Sequence, residues 1–241
     1  MKPPDERRVD GIEVQWLRVS APVEEIGAML AQLPAIERQW LSHMIPEARV
    51  RRLAARVALR RLLSRRLGLP ADALRFQFGP WGKPSIHPLH GSRIVFNVSH
   101  AGDWVLIALG DAGDLGVDVE MVTDTTDHDM LAEQILSPCE LSWYRKLPVC
   151  ERRLGFYRAW VRKEAVLKAV GLGLSLEPQS FEVSGDSGWH RLISLPGASG
   201  DDLVEVHAVE APTGYVAAFA RRPAVAGDRA KSPLSSHHPI Y

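Results

Sequence analysis

The sequence predicts an α+β protein of small antiparallel sheets packed with helices, and three observations carry that prediction. Residues 47–67 and 152–170 are rich in strong helix formers and long enough for about five turns each. Residues 93–99 and 104–109 read as two strands around a Gly-containing turn, the pattern of a hairpin. A strand, Gly turn and apolar strand recur near the end, at 203–210 and 215–220 around Pro212-Thr213-Gly214, a faint internal repeat.

Each element can be justified in order. Residues 1–10 are charged and Pro-rich and read as a flexible N-terminus. Residues 11–20 alternate Ile12, Val14 and Trp16 and read as the opening strand. Residues 22–41 are Ala/Leu/Glu-rich and predict a helix. Pro46 opens the second helix, 47–67, which Gly68 and Pro70 terminate. This helix carries eight arginines, with Arg52, Arg56 and Arg60 on one i, i+4 row. Three readings compete for them: a solvated face, a phosphate clamp, and a nucleic-acid helix, which the neutral total charge disfavours.

A short strand at 74–78 leads into Gly79-Pro80-Trp81-Gly82-Lys83-Pro84, a dense turn signal. Ser99 and His100 close the next strand. Strand neighbours face opposite ways, so the two do not form a nucleophile–base pair. They suit an anion, or His100 is a turn residue. Residues 124–129 form a polar connector and 130–136 a short helix. Ser137-Pro138-Cys139-Glu140 reads as a helix start, where Glu140 serves either the cap or a site. The helix 152–170 stops at Gly171 and Gly173, and strands are expected at 180–184, 189–195, 203–210 and 215–220. From Pro223 the composition buries little, so 223–241 reads as a disordered tail whose His237 and His238 are no metal site.

Composition narrows the function. Of 241 residues, 46% are hydrophobic and 24% charged, as in an ordinary globular protein. Net charge is zero, so no global field recruits nucleic acid or membrane. Cys139 and Cys150 fit no disulfide framework and read as reduced thiols. No apolar run spans a bilayer and no signal peptide is evident, which points to the cytoplasm.

The chemistry concentrates in two places. In Leu115-Gly116-Val117-Asp118-Val119-Glu120, period-2 geometry puts Asp118 and Glu120 on one face and the valines on the other. Adjacent carboxylates on a buried strand call for a cation, and Mg²⁺ takes oxygen ligands; solvated carboxylates at a strand end are the alternative. In the helix 152–170, Trp160, Glu164 and Lys168 share an i, i+4 row with Lys163 beside them. Glu164 and Lys168 are either a surface pair or a third metal carboxylate and a phosphate-neutralising lysine.

The ordered set Trp81-Gly82-Lys83-Pro84, Phe96-Asn97-Val98-Ser99-His100, Gly116-Val117-Asp118-Val119-Glu120 and 160–168 (Trp-Val-Arg-Lys-Glu-Ala-Val-Leu-Lys) resembles the 4′-phosphopantetheinyl transferases. The match is to the larger, surfactin-synthetase-activating class, over about residues 45–220. The resemblance implies two pseudo-symmetric halves, 11–113 and 114–222, the second with the metal site. It implies Mg²⁺-dependent transfer of the phosphopantetheine arm of coenzyme A to a serine of an apo acyl or peptidyl carrier protein. A monomer and the release of adenosine 3′,5′-bisphosphate are further implications.

By the family pattern Asp118, Glu120 and Glu164 hold Mg²⁺, and Asp118 thereby contributes to the coenzyme A site. Lys168 contacts phosphate with support from Lys163, and Glu140 is a further carboxylate near the metal. Gly82, Lys83 and Pro84 line the adenine side. Ser99 and His100 touch the phosphates, His100 the 3′-phosphate. Arg49, Arg52 and Arg56 stand in for a basic segment that the family usually carries before its first long helix. Deprotonation of the serine falls to Glu164 or to a metal-bound hydroxide. The rival function is a non-catalytic protein of the same fold that binds coenzyme A or a carrier.

Overall fold

The computed structural model describes residues 6–19, 23–43, 46–183, 190–196 and 203–223. Ten strands and six helices appear among them, with three short 3₁₀ turns. Strands β1 (Glu6–Val9), β2 (Ile12–Arg18), β5 (Val95–Ala101) and β6 (Trp104–Gly110) form one antiparallel sheet in the order β1-β2-β6-β5. Strands β7 (Asp114–Met121), β8 (His190–Ser194), β9 (Leu203–Val209) and β10 (Tyr215–Arg222) form the second, in the order β7-β10-β9-β8. A third pair, β3 (Phe76–Phe78) with β4 (Pro84–Ile86), frames the Gly/Pro turn.

Side-chain alternation explains how the layers stack. On β6, Val105, Ile107 and Leu109 face helix α3 (Pro46–Leu67), packing on its Ala55, Leu59, Leu62 and Leu63. The intervening Leu106 and Ala108 face the other way, into a core shared with the second sheet. On β7 and β10, Leu115, Val117, Val119, Ala217 and Phe219 enter that same core. Their neighbours Ala218 and Ala220 face helix α6 (Val149–Val170) and its Val161, Ala165, Val166 and Ala169. Each half is thus a four-stranded sheet with one long helix on its outer face, and the halves meet through their inner faces. The period-2 pattern of single strands produces the two-half architecture.

Four expectations change. Residues 6–9 form strand β1, because Asp10-Gly11, with φ of 48° and 81°, makes a two-residue hairpin turn into β2. The helix expected over 22–41 divides at Pro34 into α1 (Val23–Ala31) and α2 (Ala35–Ser42), as proline cannot continue a helix. The strand expected at 180–184 is instead a 3₁₀ turn, Pro178–Ser180, followed by unpaired chain that buries Phe181 and Val183. Strand β4 was not anticipated, since three residues beside prolines carry no periodicity. Residues 224–241, with His237 and His238, lie outside the described residues.

Candidate functional site

The site begins with a glycine. Gly116 on β7 sits so close to α6 that an added Cβ would lie 2.0 Å from the carbonyl oxygen of Ala165 and 2.3 Å from the amide nitrogen of Ala169. Without a side chain there, strand and helix approach backbone to backbone. Asp118 and Glu120, two and four residues on, project from the α6-facing side of the strand. Glu164 and Lys168, one turn apart on α6, project from the helix beside them.

Asp118 is buried, 3% exposed, and its Oδ1 accepts hydrogen bonds from Ser99 Oγ (2.8 Å) and from Lys168 Nζ (2.5 Å). Lys168 Nζ also reaches Ser99 Oγ at 3.1 Å. Residues 99, 118 and 168, far apart in sequence, thus form one triangle. Asp118 Oδ2 is buried with no hydrogen-bond partner among the described residues. Burial pushes the Asp118 carboxyl up against the pull of Lys168. Glu120 accepts from the indole Nε1 of Trp160 at 3.3 Å, and burial together with the charge of Asp118 pushes it up to about 7. Glu164 is half-buried and also raised, by burial first and Asp118 further, with Lys168 opposing.

These features test whether the site fits a divalent cation. As they stand, the carboxylates do not converge as a ligand cluster among the described residues, because Asp118 leans to Lys168 and Glu120 to Trp160. The donor set nevertheless fits a hard cation: three carboxylates, an orphaned buried oxygen and raised proton affinities all report missing positive charge.

A cleft of about 230 Å³ opens beside this cluster, lined by Gly82, Lys83, Pro84, Asn97, Glu164 and Lys168 among others. Pro84 and Val98 also line a second cleft of about 260 Å³, walled by Arg52, Arg56 and His100. The two share Pro84 and Val98 and together form a groove, the first cleft lined from both halves and the second from the first half alone. Ser99 faces the carboxylates while His100 faces α3, the opposition that strand geometry requires. The imidazole of His100 is lowered by desolvation and by the positive charges of Arg52, Lys168 and Arg51. A wall bearing Arg52 and Arg56 thus adjoins the carboxylate cluster. Asn97 Oδ1 accepts the Val117 N–H at 2.9 Å and fastens the facing strands β5 and β7, a seam that the sequence did not signal.

Other predicted residues lie elsewhere. Arg49 donates to the carbonyl of Ser42 at the foot of α3 and lines neither cleft. The arginine row divides: Arg52 faces the groove, Arg56 lines it while pairing with Glu37 at 3.8 Å, and Arg60 is buried against Glu37. Arg66 turns to Glu13 and Asp111, so the helix presents no continuous basic face.

Glu140 and Lys163 meet each other. Glu140 completes a capping box with Ser137 at the start of α5 (Pro138–Lys146), and its Oε1 accepts the Val183 N–H at 2.7 Å. Lys163 is fully buried and donates to Glu140 Oε2 (2.7 Å) and to the carbonyls of Pro178 and Phe181. Three acceptors, none of them in the Asp118, Glu120 and Glu164 cluster, thus take up its ammonium. The structure draws these two residues to each other, as a buried structural pair, and not to the carboxylate cluster.

Comparison with known proteins bears on both halves. Residues 114–220 match the model of the 4′-phosphopantetheinyl transferase superfamily, and residues 20–111 match that of the 4′-phosphopantetheinyl transferase N-terminal region. The chain is 34% identical over 163 residues to slr0495 of Synechocystis sp., named provisionally for 4′-phosphopantetheinyl transfer, spanning 63% of this chain and 66% of that protein. It is 30% identical over 168 residues to the 4′-phosphopantetheinyl transferase HetI of a Nostoc species (69% and 71% of the two chains). With the 4′-phosphopantetheinyl transferase Sfp of Bacillus subtilis it shares 31% identity over 160 residues (66% and 69%).

Proposed function

Because the chain belongs to the 4′-phosphopantetheinyl transferase superfamily, we propose that it moves the phosphopantetheine arm of coenzyme A onto a serine of an apo acyl or peptidyl carrier protein. The observation that carries this reading is the buried Oδ2 of Asp118, which has no hydrogen-bond partner among the described residues and sits beside Lys168, next to a cleft that Glu164 and Lys168 line. Asp118, Glu120 and Glu164 would hold a magnesium ion. When bound, that ion would offset negative charge on the pyrophosphate of coenzyme A.

The chain's own residues supply the rest. Arg52, Arg56 and His100 bind the 3′-phosphate, while Gly82 and Pro84 line the adenine side. Lys168, once drawn from Asp118 to the ligand, stabilises charge that develops on the phosphate oxygens. The carrier serine oxygen attacks the β-phosphorus as its proton passes to Glu164, which lines the cleft beside Lys168. The bond from the β-phosphorus to the bridging oxygen breaks, and adenosine 3′,5′-bisphosphate leaves with the electron pair. Holding serine, phosphorus and leaving oxygen in line contributes a large share of the acceleration. A cytoplasmic monomer goes with this reading, since one chain contributes both walls of the groove.

The test is the intact mass of apo carrier proteins from fatty-acid, polyketide and peptide synthesis after incubation with this protein, coenzyme A and Mg²⁺. A gain of one phosphopantetheine that EDTA abolishes is the expected result. Tight coenzyme A binding with no gain on any carrier would favour a binding protein over an enzyme.

A further inference from the structure

We propose that Lys83 is a positioning residue that ties the two walls of the cleft together and sets its width, without contacting the ligand's phosphates. This inference rests on the coenzyme A reading above. Lys83 Nζ donates to the carbonyl of Ala169, 86 residues away, at 2.6 Å. Its Cδ lies 3.4 Å from where a Cβ on Gly171 would stand, so the side chain runs over the cap of α6.

Both ends of this strut are fixed. On one side, the turn that carries Lys83 closes on itself through Gly79 N–H to Lys83 O and Gly82 N–H to Gly79 O, each 2.9 Å. The pair β3–β4 holds that turn from below. On the other side, the last carbonyls of α6 have no partners within the helix. Gly171, left-handed at φ 71°, takes the carbonyl of Leu167, and Lys83 takes that of Ala169. A cation at a helix C-terminus is favourable in itself.

The strut closes the cleft at the residues that bind. Gly82 and Pro84 flank Lys83 on one wall, and Glu164 and Lys168 lie on the helix that it grips. Burial brings the ammonium down to about 8, with Asp114 raising it and Arg222 lowering it further. A lysine so desolvated and bonded to a backbone carbonyl is a poor phosphate ligand and a good brace.

The test compares the full chain with Lys83→Met and Lys83→Arg. With an apo carrier and Mg²⁺, Lys83→Met is expected to raise KM for coenzyme A about ten-fold, as befits one charge-assisted hydrogen bond. The kcat and the KM for carrier should hold within about two-fold, and arginine, which can still reach a carbonyl, should recover most of the loss. Backbone amide exchange in the free protein supplies a readout that a ligand contact would not move. Lys83→Met should speed exchange at Gly79, Trp81 and Gly82 and at 171–173 before any coenzyme A is added; should the Met variant fail to fold, Lys83→Gln replaces it. A raised KM with unchanged exchange would identify a direct ligand contact and overturn the proposal, as would a loss confined to kcat. If the wild type transfers nothing, the functional reading fails, while the exchange experiment still decides whether the strut exists.

Discussion

Single carboxylates in this protein differ in what they cost and what they do. Glu120 is held near 7, above its ordinary 4.5, so its contribution is fully present below about pH 4.5 and is lost as pH rises through 7. In EDTA, the melting temperature should therefore fall between pH 5 and 8, and Glu120→Gln should remove part of that fall; an unaltered slope would relieve Glu120 of the effect. Asp118→Asn deletes a charge that burial disfavours, so the fold should persist at equal or greater stability while transfer is lost. Normal turnover would sink the metal assignment. Lys163→Met should do the reverse. It strands the Glu140 carboxylate in the core, which costs about 3–5 kcal/mol in urea unfolding. A loss of that size would assign Lys163 to the fold.

At the scale of elements, the approach of β7 to α6 is the feature on which the site depends. Gly116→Ala would drive a methyl group into helix backbone at 2.0 Å, and backbone cannot swing aside as a side chain can. The strand should shift, with a loss of about 1–3 kcal/mol or more and a drop in transfer well beyond what residual stability explains. Circular dichroism melts beside turnover would check both, and near-normal activity would mean that the carboxylates tolerate displacement.

The same elements explain what the sequence could tell. The facing of Asp118 and Glu120 follows from period 2, and that of Glu164 and Lys168 from i, i+4, so each pair was legible within its own element. The family pattern implies a supporting role for Lys163 at the phosphate, but its contacts in the fold are with Glu140. One residue on a helix is about 100°, enough to put Lys163 on a different face, against Glu140. Glu140 had a local explanation in its capping box, but its burial against Lys163 is a contact across 23 residues of chain. The clearance at Gly116, the Asn97 seam and the triangle of Ser99, Asp118 and Lys168 are long-range, and no periodicity encodes them. Strand β1 was encoded, in the Asp10-Gly11 turn, but the charge around it suggested disorder instead.

Across the whole molecule, the proposed ligand site is divided between the halves, and each half can be tested separately. The second half contributes Glu164 and Lys168 to the pyrophosphate end. The first contributes Arg52, Arg56 and His100, on the α3 side of β5, to the opposite end of the groove. If that wall reads the 3′-phosphate, its contribution should vanish with a substrate that lacks one. Arg52→Ala should then raise KM for coenzyme A about ten-fold or more, the scale of a lost charge-assisted hydrogen bond, yet leave KM for 3′-dephospho-coenzyme A unchanged. Steady-state kinetics with the two substrates, the same carrier and saturating Mg²⁺ makes the comparison. Because dephospho-coenzyme A forfeits that contact in the wild type too, the two proteins should converge on it, and that convergence separates recognition from general damage to the groove. An equal rise with both substrates would place the 3′-phosphate elsewhere and return Arg52 to a structural part in α3.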